Sequence, residues 1–384
     1  MRLRHIYLDN QATTPCDPRV LNLMLPWFTE RFGNPHSAEH GMGHEAEAAV
    51  DTARAQVAAL IGADPREIVL TSGATEANNL AIKGAARHAA SMGDLRRRVI
   101  TAATEHKCVL ESVKDLAAEG FDPVVLPVDH DGLLDLNALS EALAVPTLLV
   151  SIMAVNNETG VVQDIAAIAA LAHASGALFH TDAAQAVGKI PLDMAAMGVD
   201  LLSLSGHKLY GPKGIGALYV RRRPRVRLQP LFSGGGQERG LRSGTVPTPL
   251  AVGLGEACRL AGLEMAEESV RLAGLRNRLL DGLRGRIEVH MNGSTARRIP
   301  GNLNLVFPLP ALDLIRAIPE LCVSTGSACS SAALEPSYVL RAMGLDDAAA
   351  VRTLRIGLGR FTSAADVDFA AERLADAARQ PEAS

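Results

Sequence analysis

The stretch SGHKLYGPKGIG, residues 205–216, sets two amines, Lys208 and Lys213, among glycines directly behind an apolar run, VDLLSLS. Three chemistries fit such a stretch: a phosphate cradle, a covalent anchor for a carbonyl group, or a turn with solvated charges. The phosphate-loop reading fails in detail. Gly206 and Gly211 have the spacing of that loop, but Pro212 stands where its lysine is needed and brings no N–H to the nest. Anchor and turn remain, and the rest of the chain decides between them.

Polar residues recur at the ends of the other β-rich runs. IVLTS is followed by GATEANN, where Gly73 and Thr75 open a helix whose free amides suit a phosphate. VITAATE leads to His106, LVSIMAV to Asn157, LFHT to Asp182 and Gln185, and LLSLS to His207 and Lys208. Each alone reads as a cap, a satisfied buried group or a turn. Converging at the carboxyl edge of one parallel sheet, they form a site. The set fits pyridoxal phosphate: Lys208 meets the aldehyde, and Asp182 keeps the pyridine nitrogen protonated so that the ring draws electrons. Thr75, Ser205 and His207 hold the phosphate, and His106 stacks on the ring. Lys213, beside Pro212, is the weaker anchor candidate.

A second feature is VSTGSACSSAALEPSYVL, residues 323–340. Cys329 lies among small polar residues, where a thiolate is exposed and nucleophilic. Its loop is expected at the surface, held at its far end by a helix from near Pro336 with Tyr338, Val339 and Leu340 packing inward. Cys322, in ELCVS, reads instead as a small buried hydrophobe. Further on, LRIGLGR offers Arg355 and Arg360, and a planar guanidinium suits the carboxylate of an amino acid.

These residues need a scaffold, and the pattern supplies one. REIVLTS, RRVITAA, DPVVLPV, TLLVSIM, ALFHTDA, DLLSLSG and GALYV alternate with helical segments such as 76–90 and 163–175. This predicts an α/β fold with a mostly parallel sheet between helices. From about residue 247 a long helix leads into a smaller α/β region, with strands near 302–307 and 320–324 and a last helix over 363–378. The expected division is a large domain over 15–258 and a small one from 1–14 with 259–384, the latter carrying the cysteine loop.

Composition narrows the function classes. A net charge of −4 and 3% aromatic residues leave no basic surface or stacking platform for nucleic acid. No run reaches the length of a membrane span, and the N-terminus has no signal-peptide core. Five scattered cysteines without a CxxC pair argue against disulfides and against a zinc site. A cytoplasmic protein with reduced thiols and no metal is expected.

The motifs FGNPHS, TSGATEANN, TEHK, NNETGVVQDI, DAAQAVGK, SGHKLYGPKGIGALYV, GGGQERGLRSGT and GSACSSAALEPSYVL run through nearly the whole chain. In them the sequence strongly resembles the cysteine desulfurases of the IscS/NifS type, in the class V aminotransferase group of fold-type I PLP enzymes. The resemblance implies conversion of L-cysteine to L-alanine, with Lys208 as the cofactor lysine and Cys329 as the nucleophile that becomes a persulfide. His106 would shuttle a proton. Ala74, Thr75, Asn157, Gln185, Ser205 and His207 fall on cofactor contacts, and Arg355 on the arginine for the substrate carboxylate, with Asn157 also expected to bind substrate. Thr245 falls on a phosphate ligand from the neighbouring subunit, which implies a homodimer. An iron–sulfur scaffold or another sulfur-acceptor protein is the expected partner, although the C-terminal extension that housekeeping members use for docking is not evident before Ser384. A selenocysteine lyase or a class V aminotransferase would keep this fold, and a sulfur carrier without turnover is the reading from another class.

Overall fold

The computed structural model describes residues 5–325 and 336–379. Twelve strands occur among them: β1 Ile6–Tyr7, β2 Ile68–Thr71, β3 Arg98–Ala102, β4 Asp122–Leu126, β5 Thr147–Ser151, β6 Leu178–Asp182, β7 Leu201–Ser205, β8 Gly216–Val220, β9 His290–Met291, β10 Asn302–Val306, β11 Leu321–Cys322 and β12 Thr353–Gly357. The helices that matter here are α1 Gly41–Leu60, α2 Ala74–Ser91, α3 Lys107–Asp115, α4 Ile165–Ala174, α5 Thr248–Leu283, α6 Tyr338–Ala342 and α7 Ala364–Arg379.

Seven strands form the main sheet in the order β2-β8-β7-β6-β5-β3-β4. β8 runs antiparallel to both neighbours, and the pairs from β7 to β4 are parallel. Side chains alternate between the two faces, as the two-residue period of a strand requires. Ile68, Leu70, Ile100, Leu202, Leu204 and Ala217 enter the core under α1, α4 and the first half of α5. Val69, Val99, Leu201 and Leu218 enter the opposite core, under α2 and α3. Helices therefore cover both faces, which is why the strands read as apolar runs. The polar exception at the sheet centre is satisfied: His180 meets Ser151 Oγ at 2.8 Å and Ser203 Oγ at 3.0 Å, and burial pushes its pKa down to about 3.

A third core gathers Leu275, Leu279 and Leu283 from α5 with Leu303, Leu354, Ile356 and Leu374. α5 is one unbroken helix of 36 residues, whose first half packs on the main sheet and whose second half packs here. The antiparallel sheet β12-β10-β9 lies in this region, and β1 pairs in parallel with β11. Leu8 joins the third core, and Gly357 N–H donates to its carbonyl at 2.6 Å. That pairing fixes where the chain must emerge at residues 9–14. Among the described residues no helix is long and apolar enough to cross a membrane.

Candidate functional site

A cavity of about 600 Å³ opens beyond the carboxyl ends of the parallel strands. β2 ends at Thr71, and Gly73 turns the chain into α2 with φ +152°, a conformation that side-chained residues rarely adopt. Gly216, the first residue of β8, lies against this turn. A Cβ there would come 2.7 Å from the Gly73 Cα, so the close approach needs glycine at 216, while position 73 needs it for its backbone conformation. Ala74 and Thr75 then present the helix start to the cavity, and Ser205, the last residue of β7, lies beside it. His207 completes this end. Its Nδ1 sits 3.0 Å from Thr13 Oγ1. Burial, with the charges of Lys208, Lys213 and Lys189, lowers its pKa to about 4, so the ring stays neutral at physiological pH.

Lys208 closes a short turn, Gly206–Lys208, that leaves β7. Its Nζ donates to the Gln11 and Ala12 carbonyls, each at 2.7 Å. Lys213 is exposed at the cavity rim. The two amines of this stretch are thus unlike in surroundings: one is held inside on two carbonyls, and the other faces solvent.

Asp182 ends β6 and is buried, with Oδ2 accepting from Asn78 Nδ2 at 2.7 Å and Oδ1 from the Ala184 N–H at 2.9 Å. Gln185, one turn on, donates to the Gln11 carbonyl at 2.8 Å. His106 caps α3, where its Nδ1 accepts from the Cys108 N–H at 3.2 Å and lies 3.0 Å from Cys108 Sγ. That pattern puts the ring proton on Nε2. Cys108 also lines the cavity. Asn157 contributes its side chain, and its carbonyl accepts from Arg355 Nη1 at 3.1 Å. Arg355 reaches in from β12, with Nη2 2.7 Å from Asp9 Oδ1.

Ala74, Thr75, His106, Asn157, Asp182, Gln185, Ser205, His207, Lys208 and Arg355 therefore line one cavity. Thr245 does not: it is exposed, after the exposed Gly234–Gly236 run. Cys329 lies outside the described residues. The described chain on either side of it is fastened at the site: Ser324 Oγ donates to Asp9 Oδ1 at 3.0 Å, Ser337 Oγ to Glu158 Oε2 at 2.6 Å, and Tyr338 OH to the Glu105 carbonyl at 2.6 Å. Val339 and Leu340 are fully buried, and Tyr338 is partly so. Cys322 is only partly buried on β11, because that strand has a single neighbour. Arg360 pairs with Asp17 and Glu268 over the Tyr210 ring, away from this cavity. Sequence reasoning did not assign Gln11, Thr13 or Asn78 to the site. Gln11 and Thr13 follow no strand of the main sheet, and Asn78 lies a full turn inside a helix.

The cavity residues fit pyridoxal phosphate. They offer an enclosed amine, a buried carboxylate held by two donors, and a helix N-terminus with a hydroxyl and a neutral imidazole beside it. Asn157 Oδ1 is buried without a hydrogen-bond partner among the described residues, which is the state of a group awaiting a ligand.

Comparison with known proteins agrees. A profile of the aminotransferase class-V family matches residues 6–369. The chain is 55% identical to the cysteine desulfurase of Mus musculus over 373 residues, which cover 97% of this chain and 81% of that protein. Among solved structures, a NifS-like protein superposes with a TM-score of 0.89 at 37% identity, covering 97% of this chain and 98% of the other. A structure described as SspA in complex with cysteine gives 0.81 at 42% identity, covering 92% and 98%. With motifs, fold and cavity in agreement with these matches, the chain belongs to the aminotransferase class-V family and, within it, to the PLP-dependent cysteine desulfurases.

Proposed function

We propose that this desulfurase takes sulfur from L-cysteine with Lys208 as cofactor anchor and proton-transfer group, Arg355 as carboxylate clamp, His106 as proton shuttle and Cys329 as sulfur acceptor. The observation that carries the reading is the enclosure of the Lys208 amine in the same cavity as Asp182, His106 and Arg355. The bound SspA cysteine is consistent with the substrate class.

Bound there, pyridoxal phosphate supplies an electron sink that makes the substrate α-hydrogen acidic. Ala74 and Thr75 at the helix start, with Ser205 and His207, hold its phosphate, and the neutral His207 does so without adding charge. Asp182, fixed by Asn78 and Ala184, holds the pyridine nitrogen. Gln185, Asn157 and His106, which line the same cavity, would hold the ring. Arg355 turns its guanidinium to the substrate carboxylate, which sets the thiol end toward His106. Lys208 removes the α-proton and returns a proton to carbon. His106 takes the substrate thiol proton from its sulfur. The Cys329 thiolate then forms an S–S bond with that sulfur as the Cβ–S bond breaks. The electron pair stays on carbon and is protonated, and alanine leaves.

The persulfide on Cys329 is passed to a sulfur-acceptor protein such as an iron–sulfur scaffold. Thr245, on an exposed loop, reaches the phosphate site of a second subunit in a homodimer. The loop base supports such a projection, since Glu238 accepts from Arg54 and from the Leu70 N–H at 2.7 Å while Arg239, Gly240, Gly244 and Thr245 are exposed. The chain divides into lobes of 15–258 and of 1–14 with 259–384, a reading supported by the separate cores that α5 joins. Free thiols at Cys16, Cys108, Cys258 and Cys322 suit a cytoplasmic setting.

The test is Cys329→Ser. This variant should bind pyridoxal phosphate and L-cysteine with unchanged spectra, while alanine formation falls at least about a hundredfold. Full activity in Cys329→Ser would reassign the acceptor, with Cys108 next to be tried.

A further inference from the structure

Lys189 has no part in the chemistry above, yet it ends a chain of contacts that reaches the Lys208 amine. After Asp182 the backbone winds as a helical turn, with Val187 N–H donating to the Ala183 carbonyl at 3.0 Å and Ile190 N–H to the Ala186 carbonyl at 3.1 Å. Gln185 and Lys189 therefore share a face. Lys189 Nζ donates to Gln185 Oε1 at 2.6 Å. Gln185 Nε2 donates to the Gln11 carbonyl at 2.8 Å, and the same carbonyl takes Lys208 Nζ at 2.7 Å. Gly188, with φ +74°, lets the turn press on α5, where a Cβ would lie 3.1 Å from that of Ala261. Lys189 lines a second, small cavity of about 30 Å³, together with Gln11 and Lys208, which also line the main one, and with Glu268, Tyr210 and Arg360.

A carboxamide can be turned either way, and only its partners choose. An ammonium has donors and no acceptor, so Oε1 of Gln185 must face Lys189. The amide N–H groups are then turned toward Gln11 and the main cavity. With the amide reversed, Oε1 would confront the Gln11 carbonyl, two acceptors with no proton between them. We propose that Lys189 is a positioning residue for the cofactor site: it locks the Gln185 amide, and with it the Gln11 carbonyl beneath Lys208, in the orientation that receives pyridoxal phosphate. This rests on the reading that the main cavity holds that cofactor. The groups that act on the Lys189 amine are Lys208, Arg355 and Glu268, and its pKa is lowered to about 7 mainly by burial, with Lys208 and Arg355 adding to the shift and Glu268 opposing it. A neutral amine keeps N–H donors but gains an acceptor lone pair, so the ammonium fixes the amide most firmly, while the Gln11 carbonyl, an acceptor only, favours the same orientation in either state.

The experiment is a double-mutant cycle on cofactor affinity. Apoenzyme of wild type, Lys189→Met, Gln185→Ala and the double variant is titrated with pyridoxal phosphate, followed by the visible absorption of the bound cofactor. Thermal unfolding of each apoenzyme monitors the fold. Losing a charge-assisted hydrogen bond should weaken binding about tenfold or more in Lys189→Met. In the Gln185→Ala background the same change should matter less than about twofold, because the lock has nothing to hold. Lys189→Gln runs the same cycle should Lys189→Met fail to fold. Wild-type affinity in the single variant, or an equal loss in both backgrounds, overturns the positioning role alone. A wild-type protein without a Lys208-dependent absorption band overturns the cofactor assignment on which it rests.

Discussion

Asn78 and Asp182, 104 residues apart in the chain, are joined by a 2.7 Å hydrogen bond from the Asn78 amide to the buried carboxylate. The same amide nitrogen lies 3.2 Å from Cys108 Sγ, so one side chain of α2 braces both the floor and the His106 side of the cavity. Asn78→Ala leaves Asp182 with the Ala184 N–H. We expect turnover to fall about tenfold to a hundredfold, the worth of one hydrogen bond to a charged acceptor. Asp182→Asn, which removes the charge itself, should cost more, roughly a thousandfold. Steady-state alanine formation in the two variants checks the order. An Asn78→Ala enzyme slower than Asp182→Asn would reverse it.

The two lysines of residues 205–216 make opposite predictions. Lys208→Ala removes the enclosed amine, and both the visible cofactor band and about three orders of magnitude of activity should go with it. Lys213 is exposed at the rim, where a charge is worth at most about 1 kcal/mol, so Lys213→Ala should stay within roughly fivefold of wild type. Absorption spectra and alanine assays on both variants decide the matter. Loss of the band in Lys213→Ala alone would exchange the roles.

The strand-end residues of this site were legible because a parallel sheet leaves little freedom: every β-to-α turn falls on one edge. His106, Asn157, Asp182 and Lys208 follow from that rule alone. Gln11 and Thr13 do not, since they reach the cavity through the β1–β11 pair and the Asp9–Gly357 bridge. Those contacts span most of the chain and leave no periodic trace in it. The direction of β8 was hidden for another reason: GALYV is equally apolar read either way, and only its register against Ser205 reveals the reversal. Lys189, beside Gly188, carries no signal of its own in the sequence. Its meaning lies in the amide it faces.

Acid should loosen the fold through the sheet-centre histidine. His180 is held neutral, with its pKa pushed down to about 3, whereas in the unfolded chain an imidazole gains a proton near 6.5. Between those values the unfolded state binds more protons, so stability falls as pH drops from about 6.5 and the loss levels off near 3. His207 acts in the same sense over a narrower window, ending near 4. Going from pH 7.5 to 5 should cost about 2 kcal/mol through His180 alone. Urea unfolding of His180→Gln, less stable at pH 7.5, should lose correspondingly less over that interval. A wild-type slope in this variant would remove His180 from the account.

The composite site can be tested without seeing the dimer. If Thr245 serves the phosphate of the neighbouring subunit, each site takes Lys208 from one chain and Thr245 from the other. Lys208→Ala and Thr245→Asp should each be nearly inactive as homodimers, the second because a carboxylate repels the phosphate. In a hybrid dimer of the two variants, both lesions fall in one site. The other site receives an intact Lys208 from the Thr245→Asp chain and an intact Thr245 from the Lys208→Ala chain. Mixing and refolding the variants together should therefore restore activity, to about a quarter of the wild-type rate if the chains pair at random: half of the dimers are hybrids, and half of their sites are whole. If Thr245 acted on its own chain, every site in the mixture would keep one lesion, and no activity would return.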